Sequence, residues 1–428
     1  MKKRVLTLFM VMAMLLSSMA VCASAEEVKL TDEEITLTVW HIAIDENRHQ
    51  AVKNAIARFE EKYPNIHVEE VANENDPYKT KLATAMAAGE EPDIFISWGG
   101  GWLEAFIDEG KVLDINDKVE AVKDEYYESA LSLFQLGGKY YGLPYSCGPA
   151  PVYYNRQIYA DLGLEVPQTL SEFEANCDKI KEAGLIPLAL GNASQWPGAL
   201  TFIYLSLRKG GKDAFLNAYN RENGGTFEDP SFIWAGEKIQ EWVNKGYYPE
   251  GCNAINYDTG GSRMLFYSGQ AAHIVQTNGM FSFCNSEAPD FYENNLGAFK
   301  FPAVEDGAGN MDELLGGGNA YSIASKCEYP DEAFELIHCL SDADFANDSV
   351  NLAGVISGAA NIEMPNELTQ LADDLLSSAS YIQNFYDQFL PPDMGALHKQ
   401  TTYDLFGLTT TPEQAAADME ALAKQVLD

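Results

Sequence analysis

Hydrophobic and polar residues alternate in two different rhythms along the chain, and each rhythm predicts one kind of element. Residues 35–40 alternate one by one, as a half-buried strand does, and apolar residues then recur at helical spacing from Ala51 to Phe59. Tyr63-Pro64 ends this helix. The pattern continues with a strand over 66–71, a helix over 78–88 that ends at Gly89, and a fully apolar strand over 93–97. Strands that alternate with helices in this way predict a mostly parallel sheet covered on both faces.

The rest of the chain repeats this alternation without tandem repeats or a low-complexity linker. Thr169 and Glu172 stand at the spacing of a capping box, which predicts a helix through Ile180. Further strands are predicted over 185–190 and 271–275, and further helices over 234–242, 330–340 and 412–427. Because there is no flexible tether, any two domains must share several chain crossings.

The first 25 residues have the three parts of a secretory signal peptide: basic residues at 2–4, an apolar run over 5–16 and small residues over 23–25. The apolar run is shorter than the roughly 20 residues that a membrane-spanning helix needs. We therefore expect an exported protein, periplasmic or extracellular at the cell surface. Cys22 leaves a lipid anchor open as an alternative, although the preceding residues 19–21 depart from the small residue usual before a lipidated cysteine.

The 428-residue chain is strongly acidic, with 28 basic and 64 acidic residues and a formal net charge of −36. Such a surface repels phosphate backbones and anionic lipid headgroups, so we expect no binding to nucleic acid or to a membrane surface. Of its seven cysteines, the six beyond residue 25 are too sparse for a disulfide scaffold. With 46% apolar residues, the chain has ample material for packed cores.

The signatures of common enzymes are missing from the sequence. No zinc-protease, nucleophile-elbow or phosphate-loop motif occurs, and the six histidines show no metal-ligand spacing. The glycine runs 99–101 and 316–318 both lack the third glycine of a dinucleotide fingerprint. Among 64 acidic residues a carboxylate pair suited to glycoside hydrolysis always exists, so such a pair is uninformative. We predict no catalytic residue, no metal site and no cofactor.

Aromatic residues stand beside turn residues after several predicted strands. Trp98 and Trp102 flank the first glycine run, Trp196 lies in a polar loop, and Phe281 closely follows Asn278. Ligands bind at the carboxyl ends of strands in open α/β sheets. Aromatic faces there suit the apolar faces of sugar rings, and nearby amides and carboxylates suit the hydroxyls. The alternative is that these rings only pack in the core, and the pattern leaves both interpretations open.

A series of motifs, in order along nearly the whole mature chain, resembles the family 1 extracellular solute-binding proteins of ABC sugar importers. The motifs are Trp40-His41, 59–66, 92–103, 141–145, 153–155 with 162–164 and 167–169, 268–272 with Asn278-Gly279, 316–323, and 387–392. Their common order is far more specific than any one of them. The aromatic pair and the segment 387–392 most resemble the oligosaccharide-binding branch, similar to raffinose-type and maltose-type binding proteins.

The resemblance implies an α/β fold of the two-lobed periplasmic-binding-protein type (type II), in which discontinuous lobes are joined by a hinge of several crossings. The lobes implied are 26–150 with 317–362 for the N-terminal lobe and 151–316 with 363–428 for the C-terminal lobe, after the signal peptide 1–25. The crossings are expected near 147–152, 316–319 and 361–364. The ligand is expected between the lobes.

The resemblance also implies a set of ligand-binding residues. The expected aromatic contacts are Trp98, Trp102, Trp196 and Phe281, with Tyr145 beside them. The expected polar and backbone contacts are Asp45, Asn47, Asn278, Gly317, Gly318 and Asp387. Phe281 stands where relatives often have tryptophan, which leaves the choice of substrate open.

The function implied is that of the substrate-binding component of an ABC transporter, a monomer that binds a neutral oligosaccharide and delivers it to the membrane permease. Raffinose-type sugars and pentose oligomers are both candidate ligands. Two other classes stay open on the sequence alone, namely a secreted glycan-cleaving hydrolase and a cell-surface glycan adhesin.

Overall fold

A computed structural model describes residues 30–428 of the chain, except for the side chain of Asp76. The predicted signal peptide over 1–25 and the lipid-anchor candidate Cys22 lie outside the described residues. Residues Glu33–Asp428 form one unit of packed elements. Within residues 30–428, no helix combines the length and the apolar character that crossing a bilayer requires.

Strands and helices follow one another along the described chain. The strands are β1 (Ile35–His41), β2 (Ile66–Ala72), β3 (Ile94–Trp98), β4 (Gln135–Leu136), β5 (Lys139–Tyr140), β6 (Leu143–Pro149), β7 (Val152–Asn155), β8 (Ile186–Leu188), β9 (Ala271–Val275), β10 (Leu296–Phe299), β11 (Glu313–Ile323) and β12 (Tyr381–Gln383). The first helices are α1 (Glu46–Lys62), α2 (Asn75–Ala88), α3 (Gly101–Asp108), α4 (Asn116–Val122), α5 (Glu128–Ser132), α6 (Arg156–Leu162), α7 (Leu170–Glu182), α8 (Trp196–Asn220) and α9 (Pro230–Lys245). The later helices are α10 (Gly261–Tyr267), α11 (Gly279–Glu287), α12 (Pro289–Asn294), α13 (Pro330–Cys339), α14 (Ala343–Asp348), α15 (Glu367–Ser377), α16 (Tyr386–Phe389), α17 (Pro392–Phe406) and α18 (Pro412–Val426).

The first sheet has six strands in the order β12-β11-β3-β1-β2, with β6 also paired to β11. β1 runs parallel to both of its neighbours, β2 and β3, as the alternation of strands and helices predicts. β11 runs parallel to β12 but antiparallel to β3 and to β6, so the sheet is mixed, with three parallel pairings out of five. The hydrophobic pattern of a strand indicates that the strand is buried but not in which direction it runs. The sequence therefore could not show that β11 is antiparallel to β3 and β6.

The second sheet has four strands in the order β10-β7-β9-β8, of which only β8 and β9 are parallel. The chain passes from the first sheet to the second between β6 and β7, and returns between β10 and β11. Each sheet carries its own helices, which gives the two-lobed α/β fold that the sequence predicts. The residue boundaries of the lobes stay a prediction.

Local sequence explains where many helices begin and end. The Thr169 side chain accepts the backbone N–H of Glu172 while the Glu172 side chain accepts that of Thr169, so the predicted capping box is present at the start of α7. Asp45 caps α1 in the same way through the backbone N–H of Arg48. Gly89 ends α2 in the left-handed region at φ +74°, where glycine has no steric penalty.

The buried face of each element forms the cores of the two lobes. In the second lobe, Phe173, Ile239 and Trp242 belong to one large apolar cluster. The predicted strand over 185–190 is shorter than expected, since only Ile186–Leu188 pairs and the chain then turns into the polar loop before Trp196. All six cysteines of the described chain are free thiols.

Candidate functional site

A cleft lies between the elements of the two sheets and contains about 1150 Å³ of free space, including open solvent at its mouth. On the side of the first sheet it is lined by Ile42, Ile44, Arg48, Asn75, Lys79, Trp98, Tyr145, Ser146, Gly148, Gly317, Asn319 and Val355. On the other side it is lined by Trp196, Ala199, Leu200, Ile203, Tyr257, Asp258, Thr277, Asn278, Gly279, Phe283, Phe385, Asp387 and Gln388. We call these the first and second walls of the cleft.

The first wall is built at the carboxyl ends of strands. Trp98 is the last residue of β3, and the loop after β1 supplies Ile42 and Ile44. Open α/β sheets place ligands at this edge because the strands end there while the chain turns into helices. The position of Trp98 in the first wall thus follows directly from its place at the end of β3.

Trp98 is both part of the core and part of the wall. Its side chain is only 2% exposed, and its ring meets Tyr78 and Trp102 edge-on at centroid distances of 5.7 and 4.9 Å. The Lys79 ammonium lies 4.7 Å from the centroid of the same ring. Since so little of the ring is free, it contributes a fixed, pre-oriented surface rather than a mobile platform.

The second wall carries aromatic rings held by other rings. Trp196, the first residue of α8, meets Tyr257 edge-on at 5.2 Å, and Tyr257 meets Phe283 at 6.0 Å. Phe283 in turn lies beneath the guanidinium of Arg48, 5.1 Å from its ring centroid. Aromatic side chains therefore face the cleft from both walls.

Six of the eleven predicted ligand-binding residues line this cleft. They are Trp98, Tyr145, Trp196, Asn278, Gly317 and Asp387. They come from separate parts of the chain, and only the fold brings them together. Whether each contacts a ligand stays a prediction.

Two of the predicted aromatic contacts lie outside the lining. Trp102 is 8% exposed and packs between Trp98 and Phe106, because it lies on the apolar stripe of α3. Phe281 is 1% exposed and packs edge-on against Tyr153 at 5.3 Å. On α11, Phe283 takes the place facing the cleft instead, two residues further on and therefore on the other side of the helix.

The other three predicted contacts are also outside the lining, for different reasons. Gly318 lies within β11, where a side chain would be 2.9 Å from the Ser146 carbonyl. Asn47 is half-buried in the first turn of α1. Asp45 is fully engaged within the protein: Oδ1 accepts the Arg48 backbone N–H at 3.0 Å and the Ser282 hydroxyl at 2.5 Å, and Oδ2 pairs with the Arg48 side chain.

The contact between Asp45 and Ser282 joins the two sides of the cleft, although neither residue lines it. Asp45 follows β1 of the first sheet, and Ser282 lies on α11 after β9 of the second. Burial alone would raise the pKa of Asp45, but the charge of Arg48 and the hydrogen bonds from Arg48 and Ser282 outweigh it and lower that pKa. An ionised carboxylate on one side of the cleft therefore accepts a hydrogen bond from a neutral hydroxyl on the other side.

Lys79 and Asp387 form the second charged pair of the cleft, with Nζ and Oδ2 3.1 Å apart. Their side chains are 16% and 10% exposed, so the pair is largely shielded from water. Burial raises the pKa of Asp387, and the nearby charge of Lys79 more than reverses this, so that the net shift is downward. Arg48 and Lys79, both in the lining, are thus each paired with a carboxylate.

Three buried polar atoms of lining residues have no hydrogen-bond partner among the residues that the structure describes. They are Nε1 of Trp196, Nδ2 of Asn278 and Oε1 of Gln388. Buried polar groups in proteins are almost always paired, because an unpaired one costs about 1–3 kcal/mol. Two donors and one acceptor of lining residues are therefore without a partner in the described protein alone.

The two glycine runs serve close packing rather than phosphate binding. Gly100 has φ +81°, and a side chain there would be 2.7 Å from Cα of Phe389. In β6, a side chain at Gly148 would be 2.4 Å from Nδ2 of Asn278, so glycine leaves the space in which that amide lies. Gly148 pairs with Gly317 of β11 across the sheet.

Sequence reasoning missed Arg48, Lys79, Tyr257, Phe283 and Gln388. The charged pair could not be found, because Lys79 and Asp387 are 308 positions apart. Gln388 stands beside the predicted Asp387 and inside a motif, which is a signal that could have been used. That Phe283 faces the cleft depends on how α11 is rotated about its axis, which only the structure shows.

The sequence profile of the bacterial extracellular solute-binding proteins matches residues 45–346. The chain belongs to this family. The prediction that it is the substrate-binding component of an ABC transporter is confirmed by this membership, and so is the expected export at the coarse level of an extracellular protein. Members of this family are binding proteins that supply membrane permeases.

Similar proteins and solved structures agree with this assignment. An uncharacterised ABC transporter extracellular-binding protein of Pyrococcus horikoshii is 27% identical over 369 residues, 81% of this chain and 78% of that protein. The multiple sugar-binding protein of Streptococcus mutans is 23% identical over 345 residues, 77% of this chain and 76% of that protein.

Among solved structures, one from work on xylan utilisation by Caldanaerobius polysaccharolyticus has a TM-score of 0.85 and 28% identity, over 90% of this chain and 99% of that one. A chitin oligosaccharide binding protein has a TM-score of 0.83 and 23% identity, over 93% and 100% of the two chains. The two-lobed fold predicted from the sequence is confirmed by these likenesses.

Proposed function

We propose that this protein binds a neutral oligosaccharide in the cleft between its two walls and delivers it intact to the permease of an ABC importer. The observation that carries the proposal is that aromatic rings of both walls face one cleft that also presents buried, unpartnered polar atoms. Rings suit the apolar faces of sugars, and the amide and indole groups suit their hydroxyls.

The charged side chains of the cleft favour a neutral ligand. Arg48 and Lys79 are paired with Asp45 and Asp387, and Asp258 accepts the Ser194 hydroxyl at 3.0 Å. A charged sugar would have to break one of these pairs and leave a buried charge without its partner, which is costly. A neutral sugar leaves the pairs in place.

The ligand class is narrowed by the similar proteins. The solved structure with 28% identity comes from work on xylan utilisation, which favours pentose oligomers of the xylan type over raffinose-type sugars. The chitin oligosaccharide binding protein is less similar in sequence and supports the fold only. We therefore place xylo-oligosaccharides first.

Isothermal titration calorimetry of the purified protein tests the ligand class. The probes are xylotriose, raffinose, chitotriose and, as a charged control, a trimer of galacturonic acid. We expect stoichiometric binding of xylotriose and much weaker binding of the acidic trimer. Preferential binding of the acidic sugar would contradict the neutral cleft, and binding of none of the four would contradict the proposed ligand class.

Recovery of the ligand separates an importer component from a hydrolase. We propose that the protein has no catalytic activity, so xylotriose should be recovered intact after prolonged incubation. Steady release of shorter sugars would instead support the secreted hydrolase. Tight binding of insoluble xylan without binding of xylotriose would support the adhesin.

We further propose that the mature protein is a monomer. The lipid anchor at Cys22 remains the alternative to simple cleavage after residue 25. Light scattering measures the first property. Mass spectrometry of the protein isolated from its host distinguishes a chain that begins at residue 26 from a lipidated chain that begins at Cys22.

A further inference from the structure

Two histidines and one glutamate lie together beside the cleft, outside its lining. Nε2 of His49 is 2.8 and 3.0 Å from the two carboxylate oxygens of Glu70. Nε2 of His41 also contacts Glu70 Oε2. One ligand atom from each of the three side chains lies within 4.8 Å of the other two.

The fold brings these side chains onto one face of the first sheet. His41 ends the row of buried residues that begins with Ile35 on β1, and Glu70 lies on the neighbouring edge strand β2. His49 precedes Val52 by three positions on α1, the helix whose buried face includes Val52 and Phe59. Three different elements therefore converge at the end of the sheet where β1 turns into α1.

The donor set is the one that zinc prefers. Zn²⁺ binds imidazole nitrogen and carboxylate oxygen at about 2.0–2.2 Å in a tetrahedral arrangement, with water in the fourth position of an open site. Three ligands at such distances lie about 3.4 Å apart, which is within the spread of the atoms found here. His49 and Glu70 are 27% and 22% exposed, so a metal ion reaches them from solvent, whereas His41 is completely buried behind them.

We propose that His41, His49 and Glu70 form a zinc site, with Nε2 of both histidines and one carboxylate oxygen as the ligands. The ion replaces the hydrogen bonds that the two imidazoles make to Glu70. The fourth ligand is water, because the site opens to solvent on the side of His49 and Glu70. This proposal concerns a second site and does not depend on the sugar.

Zinc binding has a defined consequence at Ala43. The Ala43 backbone N–H donates to Nδ1 of His41 at 3.2 Å, so Nδ1 has no proton and the neutral ring carries its proton on Nε2. When zinc takes the lone pair of Nε2, that proton moves to Nδ1, and the ring stays neutral. The hydrogen bond from Ala43 is then lost. Ala43 lies between Ile42 and Ile44 of the cleft lining.

Titration of the chelator-treated full-length mature protein with Zn²⁺ alone tests the site. We expect one zinc per chain by calorimetry, and a d–d absorption typical of tetrahedral coordination when Co²⁺ replaces Zn²⁺. His49→Gln and Glu70→Gln should each weaken zinc binding at least about tenfold, since even residues that only support metal ligands contribute about 10- to 100-fold. We avoid changes at His41, because a buried residue of the sheet is needed for folding.

The matched control is His67→Gln. His67 lies on the same strand as Glu70, but it is exposed and lies 3.3 Å from Glu34. Zinc affinity should be unchanged in this variant. Equal zinc affinity in the wild type, His49→Gln and Glu70→Gln would overturn the proposal, as would the absence of bound zinc in the wild type. Circular dichroism in the presence of chelator verifies that each variant is folded.

Exchange of the Ala43 amide gives a readout that binding elsewhere would not change. Zinc should accelerate hydrogen–deuterium exchange of this amide, which NMR resolves, because it loses its acceptor. If zinc binds but the exchange rate of Ala43 stays the same, the assignment of Nε2 of His41 as a ligand is wrong. None of these measurements contains a sugar, so their failure would leave the proposed sugar-binding function unaffected.

Discussion

The indole N–H of Trp196 is one of the few donors of the cleft that has no partner in the described chain. Trp196→Phe keeps an aromatic ring but removes the indole N–H together with the five-membered ring. We expect xylotriose to bind about 2- to 13-fold more weakly, which corresponds to the loss of about 0.5–1.5 kcal/mol for one hydrogen bond. The free energy of unfolding should also fall, because the smaller ring loses part of the packing against Tyr257. Calorimetry and urea denaturation measure the two quantities.

Trp234→Phe is the control for this experiment. Trp234 lies on α9, away from the cleft lining, with the ammonium groups of Lys209 and Lys238 5.3 and 5.9 Å from its ring centroid. Sugar affinity should be the same in this variant as in the wild type. Equal losses of affinity in both variants would show that Trp196 acts through general stability rather than through a direct hydrogen bond.

Trp98 should affect both stability and binding. The ring is 2% exposed but reaches the lining of the cleft, so Trp98→Ala removes core packing and part of the first wall together. We expect a loss of about 3–5 kcal/mol in the free energy of unfolding. We also expect sugar binding to weaken by about 1–3 kcal/mol, the range found for nucleic-acid bases that stack on aromatic side chains.

Trp102→Ala separates the two effects. Trp102 shares the ring cluster of Trp98 and is 8% exposed, but it does not line the cleft. Its replacement should lower stability by a similar amount and affect sugar binding less. If Trp98→Ala leaves the unfolding free energy unchanged, the packing described here is wrong.

At the scale of residues, the sequence predicted those site positions that follow directly from a strand end. Trp98 is one of these, since the last residue of β3 lies at the carboxyl edge of the sheet. The sequence could not show whether Trp98 packs in the core or faces the ligand, because its ring does both. Trp102 and Phe281 were misplaced because their orientation depends on how α3 and α11 are rotated against their neighbours.

Among the helices, α7 owes part of its stability to its capping box. Thr169→Ala removes the acceptor of the Glu172 N–H and should lower the free energy of unfolding by about 0.5–2 kcal/mol. Thr84→Ala, an exposed change in the interior of α2, should be neutral or slightly stabilising because alanine is the better helix former. Thermal and urea denaturation compare the two, and equal destabilisation would rule out a specific capping effect.

The last helix, α18, is anchored by a buried ion pair. Arg221 donates to Glu420 from Nη1 and Nη2 at 3.0 and 2.6 Å, and the Phe227 N–H donates at 2.9 Å. The hydrogen bonds from Arg221 are the main cause that lowers the pKa of Glu420 to about 2. In the unfolded chain this pKa is about 4.3. The stabilisation is therefore complete above about pH 4.3 and is lost as the pH falls towards 2.

Glu420→Gln tests this pH dependence. At pH 7 we expect the free energy of unfolding to fall by about 1.5–3 kcal/mol, as for hydrogen bonds to a charged group. Near pH 2 the variant and the wild type should differ much less, because the wild-type carboxyl is then protonated as well. Glu413→Gln, an exposed change in the first turn of the same helix, is the control and should have a small effect at both values. An equal difference at both pH values would contradict the assigned ion pair.

Most elements were predictable from periodicity, because burial on one face leaves a regular pattern in strands such as β1 and helices such as α1. Which of these elements pair with one another could not be predicted from periodicity. β11 lies between β3 and β6, and it pairs with residues that stand about 200 positions earlier in the chain. Nothing in its own residues specifies either partner or the antiparallel direction. The mixed sheet and the pairing across the cleft are properties of the assembled chain.

For the molecule as a whole, closure of the cleft should depend on the contact between the walls. Ser282 donates to Asp45 but does not line the cleft, so Ser282→Ala removes a contact between α11 and the start of α1 and no predicted sugar contact. We expect weaker binding of xylotriose, by up to about tenfold, because a smaller closed population lowers the apparent affinity. Ser286→Ala, one turn further on the same helix, is the control and should leave the affinity unchanged.

Small-angle X-ray scattering follows closure directly. Saturating xylotriose should reduce the radius of gyration of the wild type, since a ligand that contacts both walls favours the closed form over the open one. Without sugar, Ser282→Ala should have a larger radius than the wild type. A radius that does not change with sugar in either protein would mean that the ligand contacts only one wall.

The late position of β11 also bears on biosynthesis. The six-stranded sheet cannot be completed until residues 313–323 have left the ribosome, because β3 and β6 both pair with this strand. A nascent chain of some three hundred residues therefore still lacks the strand that closes its first lobe. Non-local pairing of this kind is slow. We therefore expect the first lobe to fold late, after most of the chain has been synthesised.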